Sequence, residues 1–244
     1  MFGSKIMPIL VTGFDVFLEH QLNPSWEIAK ALDQTTILGH LIHAIKLPVR
    51  FDECATQIKA TIQQLQPSII ICLGLAANRN CISIERVAIN LDDAIVADQN
   101  NFQPIDRRII DDADNAYFST LAIKQIFKNL HEHQIPAEIS YSAGTYVCNH
   151  LFFHVMHYIH HLNDHSKIQA GFIHVPLISN QCNEPQNKSS IDDSIIETAQ
   201  GLSLDLQIQA IRLSIESCIQ YGEQPNKDET SAQLQANFSA GKIS

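Results

Sequence analysis

In the run SAGTYVCNHLFFHVMHYIHHL (142–162), a cysteine stands where short polar residues give way to a helical pattern. A thiol attacks as the thiolate, and the unpaired N–H groups and dipole at a helix start favour that anion. Projected at about 100° per residue, Leu151, Phe152, Val155, Ile159 and Leu162 share one broad face, and Cys148 falls within it. Position alone therefore leaves two readings open, a reactive thiol or a small residue packed inward at the first turn.

Three further groups on the chain could do chemistry. His150, His154, His157 and His161 recur at helical spacing on a second face of the same segment, a pattern that could hold zinc. No H-E-x-x-H is present and no carboxylate is interleaved at ligand spacing, which favours a solvated, neutral histidine face. Glu85, in GLAANRNCISIERVAIN (74–90), lies among Ile82, Ile84, Val87 and Ile89 in extended alternation. It is either an ion-pair partner for Arg79 or Arg86 or a functional acid. His174, in GFIHVP, sits in an apolar strand ending at Pro176 and by itself reads as a hydrogen-bonded core residue. His131, His133 and His165 read as surface residues.

These groups must be positioned by the elements around them. IMPILVT (6–12) reads as a buried strand, and NPSWEIAKAL opens a helix with Asn23 as cap and Pro24 at its first position. FDECATQIKATIQQLQ is helical and stops before Pro67, and SIIICLG (68–74) is a strand covered on both faces. STLAIKQIFKNLHEHQ reads as helix, AEISYSAG as strand and turn, CNHLFFHVMHYIHHL as helix, IQAGFIHVP as strand, and 192–221 as a last helix. Alternating strands and helices predict a mostly parallel twisted sheet with helices on both faces, with its active site beyond the carboxyl ends of the strands. Cys148 follows a strand and falls at such an end. TGF after the first strand lacks the rest of a G-x-G-x-x-G loop, so a dinucleotide site is not indicated. Residues 1–221 are expected to form a single domain, and 222–244, which are polar, a loose tail.

The bulk properties narrow the partners. With 16 basic against 26 acidic residues, the net charge of −10 disfavours nucleic acid and anionic membranes, both of which need a cationic footprint. No stretch reaches the roughly 18 apolar residues of a spanning helix, and the N-terminal residues show no secretory pattern. The six cysteines, with no C-x-x-C pair and no framework spacing, suit free thiols in the cytoplasm.

At the chemistry-bearing residues the chain resembles the pyroglutamyl-peptidase I (pyrrolidone-carboxylate peptidase) family of cysteine peptidases. One motif runs from Gly74 through Ala77, Ile82, Ser83, Glu85, Arg86, Val87, Ala88 and Asn90. A second runs from Ser142, Ala143 and Gly144 through Tyr146, Val147, Cys148 and Asn149, and GFIHVP matches the histidine segment. LVTGFDVF, NLDDAIVADQN and AYFSTLAIKQI extend the likeness over about 8–221. The resemblance implies a three-layer α/β/α sandwich, with Cys148 as nucleophile, His174 as general acid and base, and Glu85 orienting the imidazole. It implies a ring pocket lined by Phe14, Phe17, Val96, Tyr146 and Val147, peptides with an N-terminal pyroglutamate as substrates, no cofactor or metal, and a homotetramer. Three departures are visible, one being that the first six residues and the tail after about Tyr221 read as extensions. VFLEH (16–20) stands where the family has PFGG, and Ile95 stands where many members have arginine, which predicts a missing polar contact near the site. A non-catalytic binder of blocked peptides and a histidine-rich metal module are the alternatives.

Overall fold

The computed structural model describes residues 6–17, 21–162, 168–179 and 201–222. Strand β1 (Ile9–Phe14) is buried at every position, as a strand covered on both faces must be. It starts later than IMPILVT suggests and takes in Gly13. A Cβ on Gly13 would lie 2.4 Å from the carbonyl oxygen of Ser25, so glycine allows the next helix to press directly on the strand. That helix, α1 (Pro24–Leu32), begins as expected. Asn23 caps it by accepting from the Ser25 N–H at 3.2 Å, and Pro24 takes the first position.

Two strands then follow that the sequence pattern hides, β2 (Thr36–Ile37) and β3 (His40–Leu47). In β3 the polar residues His40, His43 and Lys46 break the two-residue alternation, yet Ile42 to Leu47 pair with the whole of β1. Helix α2 (Phe51–Leu65) ends at Gln66, which turns to φ +49° ahead of Pro67. Then come β4 (Ile69–Leu75), β5 (Ile82–Glu85), β6 (Val87–Ile89), β7 (Ala116–Phe118), α3 (Ile123–Glu132), β8 (Ala137–Ser140), α4 (Val147–His160), β9 (Gln169–Val175) and α5 (Leu204–Gly222). The last helix starts at Leu204. Leu202, expected to be helical, instead bridges to Ile178, and the earlier part of that expectation lies outside the described residues, as do Leu18, Glu19, His20, His165 and 223–244.

Seven strands form one sheet in the order β2-β3-β1-β4-β9-β5-β8, and β6 with β7 makes a separate antiparallel ribbon. Strands β3, β1, β4 and β9 run parallel, and β5 is parallel to β8 but antiparallel to β9. Alternate residues go to opposite faces. Ile9, Val11, Ile71, Leu73, Ile84 and Ile173 pack with α1, α3 and α5, while Leu10, Phe14, Ile70, Cys72 and Phe172 pack with α2 and α4. The result is the three-layer α/β/α sandwich. Because Ile84 and Ile173 belong to the first face, Glu85 and His174 point to the second, where α4 lies. Among the described residues no helix is long and apolar enough to cross a membrane.

Candidate active site

The antiparallel step from β9 to β5 sets Ser83 opposite His174 and brings Glu85 within reach of the imidazole. His174 Nδ1 lies 2.8 Å from Glu85 Oε1, and both side chains are buried. An ionised carboxylate only accepts, so Nδ1 carries the hydrogen and Nε2 keeps its lone pair. Burial alone would raise the Glu85 pKa. The hydrogen bond and charge of His174, with Arg79 Nη1 at 2.7 Å, more than reverse this and hold the carboxyl below its usual range.

Cys148 arrives from the other direction, as the second residue of α4. Tyr146 precedes the helix in an extended conformation and gives no side-chain cap, which leaves the first-turn N–H groups facing outward from the helix end. The thiol is seated over Gly74, which is in register with His174 on the neighbouring strand. A Cβ on Gly74 would come within 2.9 Å of Cys148 Sγ and 2.7 Å of the Phe172 ring. The missing side chain is thus the space that the sulfur occupies. The helix start does not by itself yield a thiolate here. Burial, then the charge of Glu85, push the Cys148 thiol up to about 12, with Arg79 pulling the other way. At rest the sulfur holds its proton and needs a base to take it.

Beside Cys148 is a cavity of about 250 Å³. Phe14, Phe17, Val96, Tyr146 and Val147, all expected as pocket residues, line it together with Cys148. Asn23, Val49, Leu75 and Ala77 complete the wall and were not anticipated individually. Leu75 and Ala77 follow Gly74 at the carboxyl end of β4, where the rule for open α/β sheets places ligands. Asn23 was legible only as a helix cap. Among the described residues, none that lines the cavity is charged. Phe17 stands 5.9 Å from the Tyr146 ring, and the Tyr146 hydroxyl donates to the Ala97 carbonyl at 3.1 Å, which ties the Val96 segment to α4. Ile95 is 95% exposed and is not among the residues that line the cavity, whereas its neighbour Val96 is.

The histidine face is not the solvated stripe expected. His150 is 1% exposed, and its Nδ1 lies 3.1 and 3.0 Å from the two oxygens of buried Asp92, which also accepts from Arg107 at 2.9 Å. Burial, reinforced by His150, depresses the His154 pKa to about 3, so that ring is neutral. His157 Nδ1 sits 3.0 Å from the Tyr117 hydroxyl, and His161 is exposed. Among the described residues no group of three or more His, Cys, Asp or Glu side chains is arranged to hold a metal.

With this geometry in place, comparison with known proteins is informative. A family model described as pyroglutamyl peptidase matches residues 7–221. The pyrrolidone-carboxylate peptidase of Bacillus cytotoxicus is 41% identical over 201 residues, 82% of this chain and 93% of its own. That of Bacillus thuringiensis subsp. konkukian is 42% identical over 199 residues, 81% and 91% of the two chains. Among solved structures, the pyrrolidone carboxyl peptidase of Thermococcus litoralis aligns with a TM-score of 0.82 at 35% identity, covering 91% of this chain and 97% of that one. Pyroglutamyl peptidase I of Bacillus amyloliquefaciens aligns at 0.79 and 36%, covering 88% and 95%.

Proposed function

This chain belongs to the pyroglutamyl peptidase family and is a peptidase that removes pyroglutamate from peptide N-termini, and we propose that it does so through Cys148, His174 and Glu85. The observation that carries the assignment is the buried 2.8 Å contact between His174 Nδ1 and Glu85 on the same face of the sheet as the Cys148 thiol. His174 Nε2 takes the thiol proton, and the thiolate attacks the exocyclic carbonyl of the pyroglutamyl residue. The resulting imidazolium is stabilised by Glu85, whose depressed pKa keeps it ionised for that role. First-turn N–H groups of α4, that of Cys148 included, hold the oxyanion. The imidazolium protonates the departing amine, leaving a thioester on Cys148. His174 then deprotonates a water that releases pyroglutamate and regenerates the thiol.

The ring pocket is assigned to the cavity lined by Phe14, Phe17, Val96, Tyr146 and Val147. Its volume lies below the roughly 300–1,000 Å³ of drug-sized clefts, which suits a single small lactam. Among the described residues its wall is uncharged, which suits a blocked N-terminus, since a free ammonium there would be desolvated without a counter-ion. The proposal extends to a cytoplasmic homotetramer. Support for the compartment comes from the thiols of Cys54, Cys72, Cys81, Cys148 and Cys218, which are all unpaired, and support for four subunits comes from family resemblance. Sedimentation at the mass of four chains tests the latter.

Release of a chromophore from a pyroglutamyl anilide tests the chemistry. Cys148→Ala is expected to lose turnover by at least about a thousandfold at an unchanged melting temperature, and iodoacetamide to inactivate the wild type. An inactive wild type that still binds pyroglutamyl peptides would establish the non-catalytic alternative. Full activity in Cys148→Ala would remove the nucleophile assignment.

A further inference from the structure

Among the described residues Arg79 is the one cation in contact with the Glu85–His174 pair, and its contacts are divided between two elements. Nη1 donates to Glu85 Oε1 at 2.7 Å, the same oxygen that receives His174 Nδ1 at 2.8 Å. Nη2 donates to the Ser142 carbonyl at 3.1 Å. Ser142 belongs to the turn that joins β8 to α4 and delivers Cys148. That turn is latched by its own serines: Ser140 Oγ donates to the Ser142 carbonyl at 3.2 Å, and Ser142 Oγ accepts from the Gly144 N–H at 3.2 Å. Gly144 turns at φ +78°, a conformation that side-chain-bearing residues rarely adopt. The base of the arginine is fixed as well, since the Arg79 N–H donates to the Ala76 carbonyl at 3.0 Å.

We propose that Arg79 is a positioning residue of this peptidase, clamping the Glu85 carboxylate to the turn that carries the nucleophile. The proposal rests on the assignment of Cys148, His174 and Glu85 above. Geometry gives Arg79 two effects. Its planar fork holds β5 and the 140–144 turn at a fixed separation, which a point-charge lysine cannot do with two directed hydrogen bonds. Its charge also bears on the single carboxylate oxygen that holds the imidazole, 2.7 Å from Nη1. The same charge opposes the burial that keeps Cys148 protonated. The remaining groups around the pair do not duplicate it. Glu138 lies 3.8 Å from Arg79 and accepts from Ser83 Oγ, Cys81 is next to Glu138, and Cys72 and Cys148 are thiols on the same face.

The test compares Arg79→Gln and Arg79→Lys with the wild type on a pyroglutamyl anilide across pH 5–10, and follows alkylation of Cys148 by iodoacetamide with peptide mass spectrometry. Arg79→Gln is expected to lower kcat about tenfold with KM within about twofold of wild type. It should move the acid limb of kcat/KM and the Cys148 alkylation profile upward by about half a pH unit or more. Arg79→Lys should bring both pH profiles back towards wild type while kcat stays reduced, because charge is restored and the two-point hold is not. Unchanged kcat and profiles in Arg79→Gln would overturn the proposal, as would a lysine variant whose profiles match those of the glutamine variant. If Arg79→Gln does not fold, Arg79→Lys decides alone: wild-type kcat overturns the clamp and reduced kcat with wild-type profiles supports it. Wild-type turnover is the control that separates these outcomes from failure of the underlying assignment, since an inactive wild type sinks the assignment whatever the alkylation profiles show.

Discussion

Gly74 shows how far a single position constrains the chemistry. It follows the apolar run of β4, and in the sequence it reads only as the end of a strand and the start of a motif. In the fold its missing Cβ is the seat of the Cys148 sulfur, in register with His174, the proposed general base. Gly74→Ala would place a methyl 2.9 Å from that sulfur and 2.7 Å from the Phe172 ring, inside contact distance of both. The expected outcome is a loss of kcat of about a hundredfold or more and a stability loss of about 1–3 kcal/mol from overpacking, read by anilide turnover and thermal melting. Wild-type kcat in this variant would mean that the thiol does not work from this seat. Other residue-level features were less legible. Glu85, Cys148 and His174 stand in motifs whose types and order suggest a nucleophile, base and carboxylate, so the sequence could nominate them. His150 could not be separated from its helical neighbours, because its partner Asp92 is 58 positions away and no local pattern links the two. Arg79 was visible as a possible partner of Glu85, but its second contact, to a backbone carbonyl in a distant turn, has no sequence signal.

Elements supply what individual side chains cannot, namely a fixed distance between the pocket wall and the helix that carries Cys148. The segment from β6 to Arg107 carries Val96 and is fastened to α4 and the two residues before it at successive points. Thr145 Oγ1 donates to the Asp93 carbonyl at 2.7 Å, Tyr146 donates to Ala97, and His150 contacts Asp92. Asn149 makes the most complete attachment. Its Oδ1 accepts from the Ile89 N–H at 3.0 Å, and its Nδ2 donates to the carbonyls of Ile89 at 2.8 Å and Leu91 at 3.0 Å. Asn149 is fully buried, so Asn149→Ala would leave backbone groups unpaired, at a cost of about 2–4 kcal/mol in unfolding free energy. Because the wall belongs to the proposed ring pocket and lies away from the bond being broken, KM should rise more than kcat falls. A fall in kcat at unchanged KM would instead place Asn149 in the reaction itself. Helices were the most legible elements, α1 and α2 above all, because a cap, a proline or an αL turn marks their ends. Strand β3 escaped because its stability comes from pairing with β1, which overrides a sequence pattern broken by His40, His43 and Lys46. The reversal of β5 against β9 was equally hidden, since alternation specifies which residues share a face and not the direction of the chain.

For the whole molecule, alternation of strands and helices was enough to imply three layers, and the same layering decides how the protein responds to acid. The face that packs α4 against α2 holds the half-buried His154, whose ring lies 4.5 Å from that of His150, is influenced by Asp92, His157 and Lys59, and is held neutral to about pH 3. An unfolded chain protonates that imidazole near its ordinary value of about 6.5. Between those two values the unfolded state binds a proton that the native state does not, so stability falls as pH is lowered through this window. His157, also depressed by burial and by His161, acts in the same direction. Glu85 behaves differently. Its native pKa lies below the unfolded value, so its contribution is complete above that value and is lost only as pH falls through the native pKa. The two groups therefore separate on the pH axis, His154 acting from about pH 6.5 downward and Glu85 only below about pH 4.5. Urea unfolding of the wild type between pH 7 and 5 should show stability decreasing, with His154 contributing at most about 1.4 kcal/mol per pH unit. His154→Asn removes the titration while keeping a compact polar side chain, so its stability should change less over the same interval, whatever its absolute value at pH 7. A slope equal to that of the wild type would show that His154 is protonated in the native protein, and that the α2–α4 layer admits charge where the fold places a neutral ring.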